Sequence, residues 1–136
     1  MKTPTQSVSD TGVTADRCNS APTSSNYSDK ILLATEAKFW NRRYATQDFI
    51  WTVDANQYLV AEATGLKPGI ALDLAAGEGR NAVWLAEQGW KVNAFDFCEP
   101  ALEKGKRLAA MREVSSKVHF READLRNFEL GKHLYD

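Results

Sequence analysis

The residues with the clearest chemical spacing are Gly77-Glu78-Gly79-Arg80-Asn81-Ala82. They fit the pattern G-x-G-x-x-A, in which glycines let a strand turn tightly into a helix around a nucleotide-like ligand. Two acids flank the turn. Asp73 precedes Gly77 by four positions, and Asp96 follows Gly79 by 17. An acid at the place of Asp96 ends the next strand and can accept hydrogen bonds from a ribose diol. Ligand choice follows from charge. A dinucleotide would set a pyrophosphate on the positive helix N-terminus. Carboxylates at Asp73 and Glu78 would oppose that anion. S-adenosylmethionine carries an ammonium and a sulfonium and no phosphate, so acids can hold it. The plainer alternative is that Asp73 only caps the turn.

Such a turn must be carried by strands and helices. Ile70 to Ala75 is an apolar run that reads as a buried strand, after the turn at Lys67-Pro68-Gly69. Arg80 to Gln88 reads as a helix with Ala82, Leu85 and Ala86 inward and Gly89 at its end. Lys91 to Phe97 is a second strand. Pro100 fits the first turn of a second helix that runs to about Glu113. Lys117 to Ala123 is a third strand. Strands alternating with single helices predict βαβ units, a parallel sheet and right-handed crossovers. Upstream, Leu33, Ala37, Trp40 and Tyr44 form one helical stripe. Asp54 is the expected N-cap of a second short helix, with Ala55, Leu59 and Ala63 on one face and Gly65 as its stop. The run Glu103 to Arg107 is expected to be a solvated helix face.

Composition narrows the partners. Of 136 residues, 43% are hydrophobic and 26% charged, with a net charge of -1, as in a soluble globular domain. There is no basic surplus for nucleic acid. No apolar run approaches the ~18 residues of a membrane span. Cys18 and Cys98 make no metal spacing with His119 or His133. A reducing, cytoplasmic compartment is expected. Residues 1–28 hold eleven Ser or Thr and few large apolar side chains, which predicts a disordered tail. Residues 29–69 then form a helical cap, and 70–136 the ligand-binding domain.

Asp73-Leu74-Ala75-Ala76-Gly77-Glu78-Gly79-Arg80-Asn81 resembles motif I of the class I S-adenosylmethionine-dependent methyltransferases. The segment from Lys91 to Ala109 and Arg121 to Leu125 extend the likeness. Phe39 to Ala45 is similar to the W-x-x-R-Y segment of the small-molecule enzymes of tellurite-resistance and thiopurine type. The resemblance covers roughly residues 36 to 136. It implies a Rossmann-like parallel sheet with strands in the order 3-2-1, and S-adenosylmethionine as cofactor. It implies that Asp73 orients the methionine part, while Ala75 and Gly77 bring backbone close to the cofactor. Gly79, Arg80 and Asn81 complete the turn. Asp96 would hold the ribose hydroxyls, and Phe97 would lie on the adenine. Asp124 and the Leu125 amide would meet the adenine edge, and Arg43 the cofactor carboxylate. No catalytic residue is implied, because soft nucleophiles need no base.

Two positions depart from the family pattern. Ala75 stands for a glycine, a tolerable change if its backbone angles are ordinary. Cys98 stands for a helix-capping Ser, at a cost of ~1 kcal/mol, and is a reactive thiol only if exposed. Trp40, Tyr44 and Trp51 are expected to pack as core or lid. Leu134-Tyr135-Asp136 matches the opening of a fourth strand. The chain is therefore expected to be a fragment, holding the cofactor half and lacking the acceptor half. Its first strand would be an edge prone to dimerise. The favoured reading is a methyltransferase, or its cofactor-binding part, acting on a small soluble acceptor. A nicotinamide-dependent oxidoreductase and a non-catalytic binding module are the alternatives.

Overall fold

The computed structural model describes residues 25–129, 131 and 134–136. The expected tail falls on 1–24, outside the described residues, as do Lys132 and His133. Helix α1 (Ser25–Tyr44) begins ahead of Asp29, the expected start of structure. Its inward side chains include Trp40 and Tyr44, which stack at 5.9 Å between ring centroids. Helix α2 (Gln57–Ala63) follows. Its N-cap is Asn56, whose side chain accepts from the Tyr58 amide at 2.9 Å. The expected cap, Asp54, lies two residues earlier, where it accepts from the Thr52 hydroxyl at 3.3 Å. Both residue types cap well, and the backbone angles at residue 56 decide between them.

The rest is β1 (Ile70–Leu74), α3 (Arg80–Glu87), β2 (Lys91–Asp96), α4 (Glu99–Met111) and β3 (Val118–Glu122). All three strands are parallel, in the spatial order β1-β2-β3. This is the predicted order read from the other edge, and from Ile70 onward each predicted strand and helix is present to within two residues at either end. Both crossovers step the same way across the sheet, so their right-handedness puts α3 and α4 on one face. There Ala82, Leu85 and Ala86 meet Val92, Ala94 and Leu108 in the main core.

Glycine makes this packing possible at two points. A Cβ on Gly79 would stand 2.7 Å from the Phe120 ring, and one on Gly105 2.6 Å from the same ring. Phe120 of β3 thus fills a notch between the start of α3 and the middle of α4. Asp136 lies beside the other edge of the sheet. Its amide donates to the Ile70 carbonyl at 3.0 Å, and its carboxylate accepts from the Ile70 amide at 2.8 Å. No helix among the described residues is long and apolar enough to cross a membrane.

Candidate functional site

The site is built at the carboxyl end of β1, where the chain leaves the sheet. Ala75 has φ 57°, followed by Gly77 at 54° and Gly79 at 75°. The condition for a harmless alanine at 75 is therefore not met: its angle is left-handed, which costs an L-residue about 1–2 kcal/mol. Ala75→Gly is expected to raise stability by about 0.5–1 kcal/mol once the added freedom of the unfolded chain is deducted. A higher urea midpoint at unchanged slope is the corresponding measurement.

Two carboxylates hold the turn. Asp96 accepts from the Gly77 amide at 2.9 Å through one oxygen and from the Cys98 amide at 2.8 Å through the other. It thereby links the glycine turn to the start of α4 and still has lone pairs to offer. Asp73 sits beneath the turn, where the Ala82 amide of α3 reaches its carboxylate. Its Oδ2 is buried with no hydrogen-bond partner among the described residues. Burial, opposed by the Ala82 hydrogen bond and reinforced by the charge of Asp96, pushes this carboxyl up to about 6.

Glu78 has a different task from the one expected of it. Its carboxylate accepts from the Ile50 amide at 2.8 Å, the Trp51 amide at 3.0 Å and the Lys104 ammonium at 3.0 Å. Both side chains of the ion pair are only 4% exposed. Glu78 is thus a neutralised anchor for the segment after α1, with no charge left for a ligand. Lys104 also corrects the expected solvated run on α4. Its ammonium donates to Thr46 Oγ1 and to the Asp48 carbonyl.

Three depressions meet over the turn. One of about 250 Å³ is bounded by Tyr44, Trp51, Gly77, Arg80 and Asn81. A second of about 250 Å³ lies among Trp40, Tyr44, Asp96, Phe97 and Cys98. A third of about 370 Å³ runs on past Phe97 to Glu36, Asp124, Leu125 and Arg126. Ala75 borders all three. Gly77 faces open space except for the Tyr44 hydroxyl, 3.5 Å from where a Cβ would stand.

The structure thus brings Ala75, Gly77, Arg80, Asn81, Asp96, Phe97, Asp124 and Leu125 around one cavity system. Three of the candidate residues do not border it. Asp73 is underneath, Gly79 is turned to Phe120, and Arg43 lies between the Trp40 and Trp51 rings at 6.0 and 5.8 Å. Two of the bordering side chains are already engaged. Asn81 Oδ1 accepts from the Asn56 amide at 2.9 Å. Asp124 accepts from the Arg126 amide and guanidinium and from Asn127, which hold its carboxyl below the usual range.

Trp40, Tyr44 and Trp51 pack together as expected but also wall the cavity. The Trp51 indole donates to the Tyr44 hydroxyl at 2.9 Å. Glu36 and Arg126, ion-paired at 3.7 Å, were not among the candidates; they lie far apart in sequence in no recognisable motif. Cys98 is 1% exposed. Desolvation pushes its thiol up, so it is inert packing and not a nucleophile. Its side chain makes no cap bond, and the amide is met by Asp96 instead. Among the described residues no cluster of His, Cys, Asp and Glu could hold a metal ion.

Residues 71–136 match the methyltransferase domain family. No curated protein matches the chain. Among solved structures, a protein of echinomycin biosynthesis, where a disulfide bond is converted into a thioacetal group, is 25% identical with a TM-score of 0.56. The match covers 65% of this chain and 40% of that one. An S-adenosylmethionine-dependent methyltransferase from Thiobacillus denitrificans, in complex with S-adenosylhomocysteine, is 24% identical with a TM-score of 0.51. It covers 62% of this chain and 36% of its own. The glycopeptide N-methyltransferase MtfA, complexed with S-adenosylmethionine, is 27% identical with a TM-score of 0.50, over 58% and 33% of the two chains. The chain thus spans less than half the length of each of these proteins. It shares the Rossmann-like parallel α/β fold of these proteins, and its residues 71–136 are similar to the methyltransferase domain family.

Proposed function

We propose that the cavity over the glycine turn binds S-adenosylmethionine and that the protein serves methyl transfer to a small soluble acceptor, of the kind handled by tellurite-resistance and thiopurine enzymes. One observation carries the choice of cofactor. The Gly77 amide, which a pyrophosphate at this turn would need, is already claimed by the carboxylate of Asp96. A phosphate brought here would meet the acids Asp96 and Asp73 and find that donor taken. A ligand with cationic groups and no phosphate meets favourable charge instead, and the unpartnered Asp73 Oδ2 fits that demand.

In this reading Asp96 uses its spare lone pairs for the ribose hydroxyls, and Phe97 lies against the adenine. Asp124 and Leu125 border its far edge. Ala75 and Gly77 expose backbone to the methionine part, with Arg80 and Asn81 beyond them. Arg43 reaches the carboxylate only by leaving its place between two indoles. The segment 29–69 acts as a helical cap that closes one side of the cavity. The bound cofactor supplies an electrophilic methyl group; the residues here orient it and exclude water, which is where much of the rate of such a displacement arises.

Calorimetric titration with S-adenosylhomocysteine, with NAD as control, tests the proposal. Binding of the first and not the second is expected. Binding of NAD alone would return the protein to the oxidoreductases that share the G-x-G-x-x-A spacing.

A further inference from the structure

We propose that Glu78 and Lys104 are positioning residues for the ligand cavity, their buried ion pair setting where its Trp51–Tyr44 wall stands; this rests on the cavity being the cofactor site proposed above. The links form an unbroken chain. Lys104 of α4 holds Thr46 and the Asp48 carbonyl. Glu78, inside the glycine turn, holds the Ile50 and Trp51 amides. The two side chains hold each other at 3.0 Å out of water. The Trp51 indole then donates to the Tyr44 hydroxyl, and Tyr44 stands between the first and second depressions, next to Gly77.

Packing holds Trp51 only in part. The residue is 49% exposed, with the Arg43 guanidinium 5.8 Å from its ring centroid, so half of its surface contributes nothing to fixing the ring. Among the described residues its one hydrogen bond beyond that to Glu78 is the one to Tyr44. Arg107 adds a bond from its guanidinium to the Gln47 carbonyl at 2.8 Å, but at the outer end of the segment. The pair therefore couples the turn that faces the ligand to the wall that faces the same ligand, although both Glu78 oxygens are committed to N–H donors. Glu78 also borders the first depression, whereas Lys104 borders none of the three, so removing the Lys104 ammonium frees the wall without touching the cavity lining.

The experiment uses the full chain labelled with 5-fluorotryptophan, the Trp51 resonance being identified by its loss in Trp51→Phe. In Glu78→Gln the ¹⁹F resonance of Trp51 is expected to shift or broaden, while those of Trp84 and Trp90 stay in place. Affinity for S-adenosylhomocysteine should fall about ten-fold in Glu78→Gln. In the Trp51→Phe background the same substitution should cost little more, because coupled residues are non-additive. An unmoved Trp51 resonance, or a loss of affinity that is equal in both backgrounds, overturns the proposal. Should the wild-type chain bind no S-adenosylhomocysteine, the cofactor reading fails, and the Trp51 resonance alone decides the role of the pair. Should Glu78→Gln not fold, Lys104→Met, which leaves the carboxylate on its amide donors, carries the same comparison.

Discussion

Glu78→Ala is expected to destabilise the fold by about 3–5 kcal/mol, the usual consequence of stranding one charge of a buried pair. Among the described residues the Lys104 ammonium would keep the Thr46 hydroxyl, the Asp48 carbonyl and the face of the Tyr44 ring, none of them charged. The Ile50 and Trp51 amides would lose their acceptor as well, at a further desolvation cost. Lys104→Met should be milder, because two backbone amides still stabilise the Glu78 carboxylate. The double change Glu78→Gln with Lys104→Met should be milder again, since it removes both charges and leaves an oxygen for the amides. Against a total stability of about 5–15 kcal/mol, the first loss is large. Urea unfolding of the three variants gives the order directly. The gap between Glu78→Ala and the double variant should survive 0.5 M salt, because a pair this buried is poorly screened. Equal midpoints for all three would mean that the pair contributes nothing beyond filling space.

The contrast between what could and could not be read from the sequence lies in how far each feature reaches. Strands and helices from Ile70 onward follow from local periodicity, and right-handed crossovers turn their alternation into a sheet order without further information. The glycine turn is local too. Gly105 reads as an inward helix position, but that it must be a glycine could not be read, because the need arises from Phe120 on the following strand. Lys104 sits in a run of charges that looks solvated, and only the segment folding over α4 from the other end of the sequence buries it. Glu78 lies inside the motif, so proximity to the glycines suggested a ligand; its partners are 26 to 28 residues distant in sequence. The angle at Ala75 is invisible because alanine gives no sign of a left-handed backbone. At Asp54 and Asn56 two good capping residues compete within one turn, and the bond from the Asn56 amide to Asn81 belongs to tertiary structure.

Asp73→Asn should raise stability and weaken cofactor binding together. The carboxyl is held up to about 6, against 3.8 for a free aspartate side chain. Between those two values the folded state holds more proton than the unfolded state. Stability from this group is therefore full below about pH 4, declines as pH rises to about 6, and stays reduced above it. Asparagine has no such ionisation to oppose. At pH 7 the variant should gain about 1–3 kcal/mol, two units at ~1.4 kcal/mol each being the ceiling, and the decline between pH 4 and 6 should flatten. Below pH 4 the two proteins should differ little. A strained acid of this kind is worth keeping only if something uses its charge. If that is the ammonium of the cofactor, binding lowers the carboxyl again and releases a proton. Affinity for S-adenosylhomocysteine should then fall as pH drops below about 6, and Asp73→Asn should weaken it about ten-fold at pH 7.5 while removing that pH dependence. An Asn variant that is more stable and binds with unchanged affinity at both pH values would reduce Asp73 to a cap on α3, and the charge argument for the cofactor would then rest on Asp96 alone.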